Sequence, residues 1–308
     1  MQEQFFSSPD GTRLRFAHFH AATEQARGTV LFLEGRRECI EIYLEPIVEW
    51  TGRGFDVFVF DWRGQGGSDR PLADPHKHHV RSFDDYRNDL QAFAEAVVRP
   101  QQRGPLIVFG HSMGGFVALD WLIQERPNVA AAILAAPMLA LPVSSWMHGT
   151  SLGLCHMAMR LGFAESYTPG EGRFDPACWS FENNPLTQDP ERFQLILHCF
   201  TARPELAIGG VTYGWLGAAL EALIRVRPRL GEVSVPTLLL NSGQDRVTLS
   251  HEVSYWAQNI PAITEKIHPS ARHDIMAETD DIRLQVWRDI DAFLAQIDNV
   301  APQDRAFS

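Results

Sequence analysis

Ser112 is the first residue whose setting suggests chemistry. It lies in Val108-Phe109-Gly110-His111-Ser112-Met113-Gly114-Gly115, a Gly-x-Ser-x-Gly pattern. An apolar run, Pro105 to Phe109, leads into it and a helix-like run, Phe116 to Arg126, leads out. That context is a strand, a sharp turn and a helix, which would hold the Ser112 hydroxyl exposed at the carboxyl edge of a sheet. Gly110 and Gly114 lack Cβ atoms, so strand and helix can close around a strained residue. A serine hydroxyl is a weak nucleophile near neutral pH and needs a positioned base.

Twelve histidines compete for that role. His18 and His20 fall in or beside the first long strand. His76, His78 and His79 cluster in a polar loop, and the lack of carboxylate or cysteine partners there argues against a metal tract. His111 adjoins Ser112, but strand alternation turns it away. His148, His156 and His198 belong to a long apolar insert, His251 starts a helix, and His268 ends a strand. His273 follows the last strand in a loop, from which it could reach Ser112. An acid must hold the imidazole and stabilise its protonated form. Asp245, in Asn241-Ser242-Gly243-Gln244-Asp245 after the preceding strand, fits that role. Asp274 is the rival, but its adjacency makes contact with the His273 ring awkward. Two donors must then face the developing oxyanion. The backbone N–H of Met113 is one; the other is expected from the loop after Leu33, at the N–H of Arg36. The Arg36 and Arg37 side chains are either solvated or turned toward a phosphate or carboxylate headgroup.

The surrounding elements must bring these residues together. Thr12 to His20 reads as extended, with Leu14 and Phe16 on one face. Thr29 to Leu33 and Phe55 to Phe60 are apolar runs typical of strands covered on both faces. Glu41 to Trp50 is predicted helical, with Leu44, Ile47 and Val48 on its buried side. Ser82 caps a helix with Phe83, Tyr86, Leu90, Phe93 and Val97 on one face, stopped by Pro100. Ala131 to Ala136, Thr237 to Leu240 and Ile263 to His268 are further strands, and Asp280 to about Ile297 is the final helix. Alternating strands and helices predict an α/β fold with a largely parallel, doubly wound sheet, which binds ligands beyond the carboxyl ends of its strands.

The rhythm breaks between Leu141 and about Glu232. Trp146, Met157, Leu161, Phe163, Trp179, Phe193, Phe200, Trp215 and Leu220 suggest short helices there. An insert of that length is too long for a loop and reads as a helical cap, either packed to the core or lining an acyl pocket. The expected division is therefore a core of residues 1–140 and 233–298, a cap of 141–232 and a loose tail of 299–308.

Composition narrows the partners. The 308 residues are 45% hydrophobic with a net charge of -11, which argues against a nucleic-acid surface. Residues 1–10 lack a basic region followed by an apolar core, so no signal peptide is expected. No apolar stretch reaches a membrane-spanning length. Cys39, Cys155, Cys178 and Cys199 have no close ligand spacing, as in a reduced cytoplasmic protein. No cofactor or metal is expected. An apolar cap would allow transient contact with the inner face of a membrane, and oligomeric state is left open.

With these residues in place, the chain resembles the α/β-hydrolase superfamily over nearly its full length. The signatures are Gly110 to Gly115, Asp61-Trp62-Arg63-Gly64-Gln65-Gly66-Gly67-Ser68, Asp245 and His273. The subgroup looks like the bacterial lysophospholipase L2 and monoacylglycerol-lipase-like enzymes, also grouped with the serine aminopeptidase S33 type. Gly35-Arg36-Arg37-Glu38 with Tyr43 looks like the lysophospholipase form of the oxyanion loop; many superfamily members carry His-Gly where this chain has Glu34-Gly35. The resemblance implies Ser112, Asp245 and His273 as triad, Met113 and Arg36 as oxyanion donors, and cofactor-free cleavage of a carboxylic ester such as a lysophospholipid or monoacylglycerol. Two other classes stay open: an S33-type aminopeptidase, and a ligand-binding module with a vestigial triad. Epoxide and haloalkane hydrolysis in this fold uses aspartate where Ser112 stands.

Overall fold

The computed structural model describes residues 3–142 and 147–300. Eight strands form one sheet in the order β1-β2-β4-β3-β5-β6-β7-β8. They are β1 (Gln4–Ser7), β2 (Arg13–Phe19), β3 (Gly28–Leu33), β4 (Phe55–Phe60), β5 (Leu106–His111), β6 (Ala131–Ala135), β7 (Thr237–Ser242) and β8 (Ile263–His268). β1–β2 and β2–β4 pair antiparallel, and all later neighbours pair parallel. β3, β4, β5, β6 and β7 are buried along their whole length. Their apolar runs follow from helices covering both faces. β8 is an edge strand, exposed over residues 264–267, with Ile263 half-buried and His268 buried.

The helices divide between the faces. α2 (Phe83–Phe93) and α3 (Ser112–Gln124) lie on one side, where Phe83, Tyr86, Leu90, Phe93 and Phe116 join one core cluster. α1 (Leu44–Gly52) and α8 (Asp280–Val300) lie on the other, where Ile47, Trp50, Trp287 and Ile290 join a second. Ser82 caps α2 by accepting from Asp84 N–H. The α2 helix widens into a π turn over Ala94–Val98 before a 3₁₀ turn takes in Pro100.

One predicted face is corrected. Leu44 is 39% and Val48 65% exposed, and the buried side is Tyr43, Ile47 and Trp50. A 3₁₀ turn over Ile40–Tyr43 precedes α1. Its tighter winding shifts the angular phase of every later position relative to one continuous α-helix.

Between β6 and β7 the chain leaves the sheet and builds the inserted cap. It contains α4 (His148–Arg160), α5 (Pro190–Ala202) and α6 (Tyr213–Val226); α7 (Ser250–Ala257) follows β7 in the core. α4 packs on α6, with Cys155 and Met159 close to Gly217. α6 also drives Trp215, Ala219 and Leu223 into the core cluster. A second contact joins α5 to the loop after β3, where the Cys39 and Cys199 sulfurs are 3.8 Å apart. Asn299 and Val300 continue α8; Trp146 and the remainder of the expected tail lie outside the described residues.

Candidate active site

The sheet converges its loops on Ser112. β5 ends at His111, and α3 begins at Ser112 itself. Ser112 has φ +49°, a left-handed conformation costing about 1–3 kcal/mol for a non-glycine residue. Close packing holds the turn in place. A Cβ on Gly114 would lie 2.4 Å from Leu33 O and 2.5 Å from Glu34 O. The helix therefore begins flush against the loop after β3, and only hydrogen fits at position 114.

Ser112 Oγ is 2.9 Å from His273 Nε2, and His273 Nδ1 is 2.8 Å from Asp245 Oδ2. An ionised carboxylate only accepts, so Nδ1 carries a proton and Nε2 is left to accept from serine. Asp245 also accepts from Thr248 O–H at 2.6 Å and from Val247 N–H at 2.7 Å. Burial works against its charge, but His273 and the Thr248 hydrogen bonds outweigh that and hold its pKa well below the usual carboxylate range. His273 is fixed from the cap as well, since its N–H donates to Pro185 O and the Asp274 N–H to Leu186 O. The sequence-predicted serine, base and acid are thus brought into one hydrogen-bonded line. An imidazole so held can take the serine proton and return it to a leaving group.

Met113 stands in the first turn of α3, where amides have no intrahelical acceptor. Arg36 N–H has no hydrogen-bond acceptor among the described residues, while its neighbours are engaged. Gly35 N–H donates to Glu38 Oε2 and Arg37 N–H to Gln65 Oε1. The loop is clamped from the segment after β4: Trp62 Nε1–H donates to Glu34 O at 2.8 Å, and Gln65 Nε2–H to Gly35 O at 2.8 Å. Asp61 completes the clamp by accepting from Ile40 N–H and Arg15 Nε–H. The Asp61–Ser68 signature is thereby explained as scaffolding for the loop after β3. Glu34 is fully buried, and burial together with Asp61 and Glu38 pushes its carboxyl well above its ordinary range.

A second polar line lies behind His273. His111 does point away from Ser112, and Nε2 is 3.2 Å from His273 O. Nδ1 is 2.8 Å from Tyr43 Oη and 3.0 Å from Glu38 Oε1. A carbonyl and a carboxylate both only accept, so both ring nitrogens carry protons and His111 is an imidazolium. Burial opposes that charge, yet Glu38 outweighs it and His111 is pushed up to about 9. Burial likewise opposes the Glu38 charge, and His111 holds it below its ordinary value. Asp274 is buried nearby and pushed up, chiefly by burial; it makes no hydrogen bond to the His273 ring. Sequence reasoning named Glu38 and Tyr43 in the loop that carries the resemblance, without pairing either with His111, and set His111 aside. The available signal was three polar residues embedded in runs otherwise destined for the core.

His78 and His79 lie in the loop expected of them, and both are buried there, at 0% and 8%. His78 N–H donates to Gly210 O, and His79 Nδ1 lies 2.9 Å from Thr212 Oγ1, so both fasten the cap to the core. The only potential metal-ligand cluster among the described residues is His18, His20 and Asp56. The Arg103 guanidinium already bridges the Asp56 carboxylate there, in competition with any cation.

Comparison with known proteins agrees with this architecture. The profile of the serine aminopeptidase S33 family matches residues 24–280. Lysophospholipase L2 of Escherichia coli strain K12 is 35% identical over 248 residues, covering 80% of this chain and 71% of that protein. The probable lysophospholipase L2 of Haemophilus influenzae is 24% identical over 295 residues, covering 94% and 91%. A soluble variant of Saccharomyces cerevisiae monoglyceride lipase, solved with a substrate analog, superposes with a TM-score of 0.71 at 18% identity, covering 96% and 94%. That last likeness shows the shared fold. An eight-stranded, mostly parallel sheet, a cap inserted after β6 and a matched profile over most of the chain make this protein a member of the serine aminopeptidase S33 family of α/β-hydrolases.

Proposed function

We propose that the chain is a serine carboxylic-ester hydrolase acting on single-acyl lipid esters of the lysophospholipid or monoacylglycerol kind. The observation that carries this reading is the line from Ser112 Oγ through His273 to Asp245, at 2.9 and 2.8 Å. In the proposed reaction His273 Nε2 takes the proton as Ser112 Oγ attacks the ester carbonyl. The Met113 and Arg36 amides receive the oxyanion. His273 then protonates the leaving alcohol, and the same imidazole activates water to release the acid from acyl-Ser112. Two features favour an amphiphilic substrate. The curated relatives reported above are named as lysophospholipases. The cap also exposes Leu154, Met157, Leu161 and Phe163 around a cleft of 400 Å³, an apolar surface of the sort that meets lipid.

The family description also raises an aminopeptidase reading. Such an enzyme must hold the substrate's ammonium close to the nucleophile. The loop bearing the proposed oxyanion donor instead carries Arg36 and Arg37; Glu34 beside them is pushed toward its neutral form, and the ionised Glu38 is already taken by Gly35 N–H, Tyr43 O–H and His111. That charge balance favours the ester.

The deciding experiment compares wild type and Ser112→Ala on p-nitrophenyl acyl esters, 1-monoacylglycerol, lysophosphatidylcholine and aminoacyl-naphthylamides. Wild type is expected to cleave the lipid esters and to gain one fluorophosphonate adduct by intact mass. Ser112→Ala is expected to lose at least ~10^4-fold in ester turnover, as when a nucleophile is removed, with its circular dichroism preserved. Normal turnover by Ser112→Ala, or faster cleavage of the naphthylamides than of the esters, would overturn the proposal.

A further inference from the structure

The Arg36 and Arg37 side chains make no hydrogen bond among the described residues, and Arg70 donates from Nη2 to the Gly66, Glu205 and Leu206 carbonyls. Among the described residues, none of the three comes within 4.0 Å of a carboxylate oxygen, whereas Arg15, Arg63, Arg192 and Arg283 each hold one or more acids. Arg36 lies over the Trp215 ring at 5.7 Å and Arg37 over the Trp179 ring at 5.0 Å. Both guanidinium groups thus rest on aromatic faces of the cap. Arg36 Nη1 and Arg70 Nη1 are buried and lack hydrogen-bond partners. His78 Nδ1 is a third buried nitrogen without a partner, although its Nε2 is satisfied by Tyr86 Oη at 3.0 Å.

These groups share one region. The His78 ring lies 5.3 Å from the Trp215 ring that Arg36 covers at 5.7 Å, and beside burial the charges of Arg36, Arg70 and Arg37 all act to lower the His78 pKa. Burial and the neighbouring Arg37 bring Arg36 down to about 10. Like charges gathered out of water, with open donors, are costly unless an anion completes them. Guanidinium forks match phosphate oxygens in geometry as well as charge.

The location ties the cluster to Ser112. Arg36 carries the amide proposed as an oxyanion donor. Arg37 lines two clefts. One, of 210 Å³, includes Pro185 and Leu186, whose carbonyls hold the His273 and Asp274 amides. The other, of 420 Å³, includes Glu171, Trp179 and Gly210, and the Gly210 carbonyl accepts from His78 N–H. Glu171 is the acid that faces the two loop arginines from the cap.

We propose that Arg36, Arg37 and His78 Nδ1, with Arg70 adding charge beside them, form a subsite for the phosphate of the leaving alcohol. The favoured ester is therefore one whose alcohol bears a phosphodiester, a lysophospholipid in preference to a neutral monoacylglycerol. This rests on the ester-hydrolase reading above and narrows it. The nearby Glu171 carboxylate disfavours a phosphate dianion, so a phosphodiester is preferred to a phosphomonoester. No covalent step is added: the subsite positions the alcohol that His273 protonates.

The test measures kcat/KM for lysophosphatidylcholine and for 1-monoacylglycerol of the same acyl chain. Wild type should prefer the lysophospholipid at least tenfold. In Arg37→Gln and Arg36→Gln the ratio of the two values should fall at least tenfold, since the two substrates differ at the phosphate. A ratio within twofold of wild type in both variants would overturn the subsite. Should either variant fail to fold, wild type decides. Glycerophosphocholine should inhibit monoacylglycerol hydrolysis competitively, and glycerol at the same concentration should not. Equal inhibition by inorganic phosphate and glycerophosphocholine, without a lysophospholipid preference, would make this a free-anion site and refute the headgroup assignment. Absence of turnover on every ester, with no fluorophosphonate adduct, would instead defeat the ester-hydrolase reading. Calorimetric titration of Ser112→Ala with glycerophosphocholine would still decide the subsite: heat of saturable binding supports it and none refutes it.

Discussion

Glu38→Gln probes the buried ion pair that links the loop after β3 to the loop carrying His273. Glu38 accepts from Gly35 N–H and from Tyr43 O–H and faces His111 Nδ1 at 3.0 Å. Glutamine keeps the volume, removes the charge and turns one acceptor into a donor aimed at other donors. The size of the effect follows from His111. Its ordinary pKa of 6.5 rises to about 9 in the fold, which corresponds to roughly 3 kcal/mol of stability. Because the folded-state value is the raised one, this contribution is fully present below pH 6.5 and is lost as pH climbs through 9. The wild-type curve should therefore fall across that window. In Glu38→Gln the largest interaction opposing burial is gone, with only Asp274 and the His273 carbonyl left to favour the charge, so the His111 pKa falls back from its raised value. Stability at pH 6.5 should drop by about 3 kcal/mol, near the range for breaking a buried pair, and the decline between pH 6.5 and 9 should flatten. Urea unfolding of both proteins at one-unit pH intervals gives the difference curve, in which thiols and amines common to both cancel. The kcat/KM should fall as well, by up to ~10^2-fold, since a misplacement of about 1 Å has that effect. Equal stability at pH 6.5 together with parallel pH curves would refute the ion-pair argument.

Two other perturbations bear on the same geometry. Gly114→Ala would force a methyl to within 2.4 Å of Leu33 O and 2.5 Å of Glu34 O; backbone cannot yield cheaply, so a loss of about 1–3 kcal/mol is expected, with a lowered Tm and a larger loss in kcat than in KM. A Gly114→Ala protein with the Tm and kcat of wild type would show that the helix does not abut the loop as described. Asp245→Asn should preserve the fold but leave His273 Nδ1 without its carboxylate, lowering kcat by about 10^3- to 10^4-fold; esterase turnover within tenfold of wild type would remove Asp245 from the proposed role.

The residues that meet at Ser112 were readable in the chain because their signals are local. Gly110 and Gly114 flank a serine between an apolar strand and a helix, and Asp245 and His273 each follow a strand. In a parallel sheet, strand ends share one edge whatever the loops do, so residues placed just after strands converge. The cap was legible for a similar reason, since strand–helix alternation simply stops after β6. Local winding was less legible. The 3₁₀ turn at Ile40–Tyr43 rotated α1 so that Leu44 and Val48 face outward, and helical periodicity alone carries no signal of such a shift.

What only the tertiary structure decided is the polar interior around that edge. His111 is an imidazolium because Glu38, 73 positions earlier in the chain, and the His273 carbonyl, 162 positions later, both reach it. His78 looks like a loop residue in sequence and is buried because Gly210 and Tyr86 satisfy two of its polar groups. Arg36 and Arg37 could have been solvated charges, but the cap lays Trp215 and Trp179 against them. Residue type and spacing report what a segment can do by itself. The charge state of a buried group depends on partners brought in from distant positions, and that information arises when the chain closes on itself.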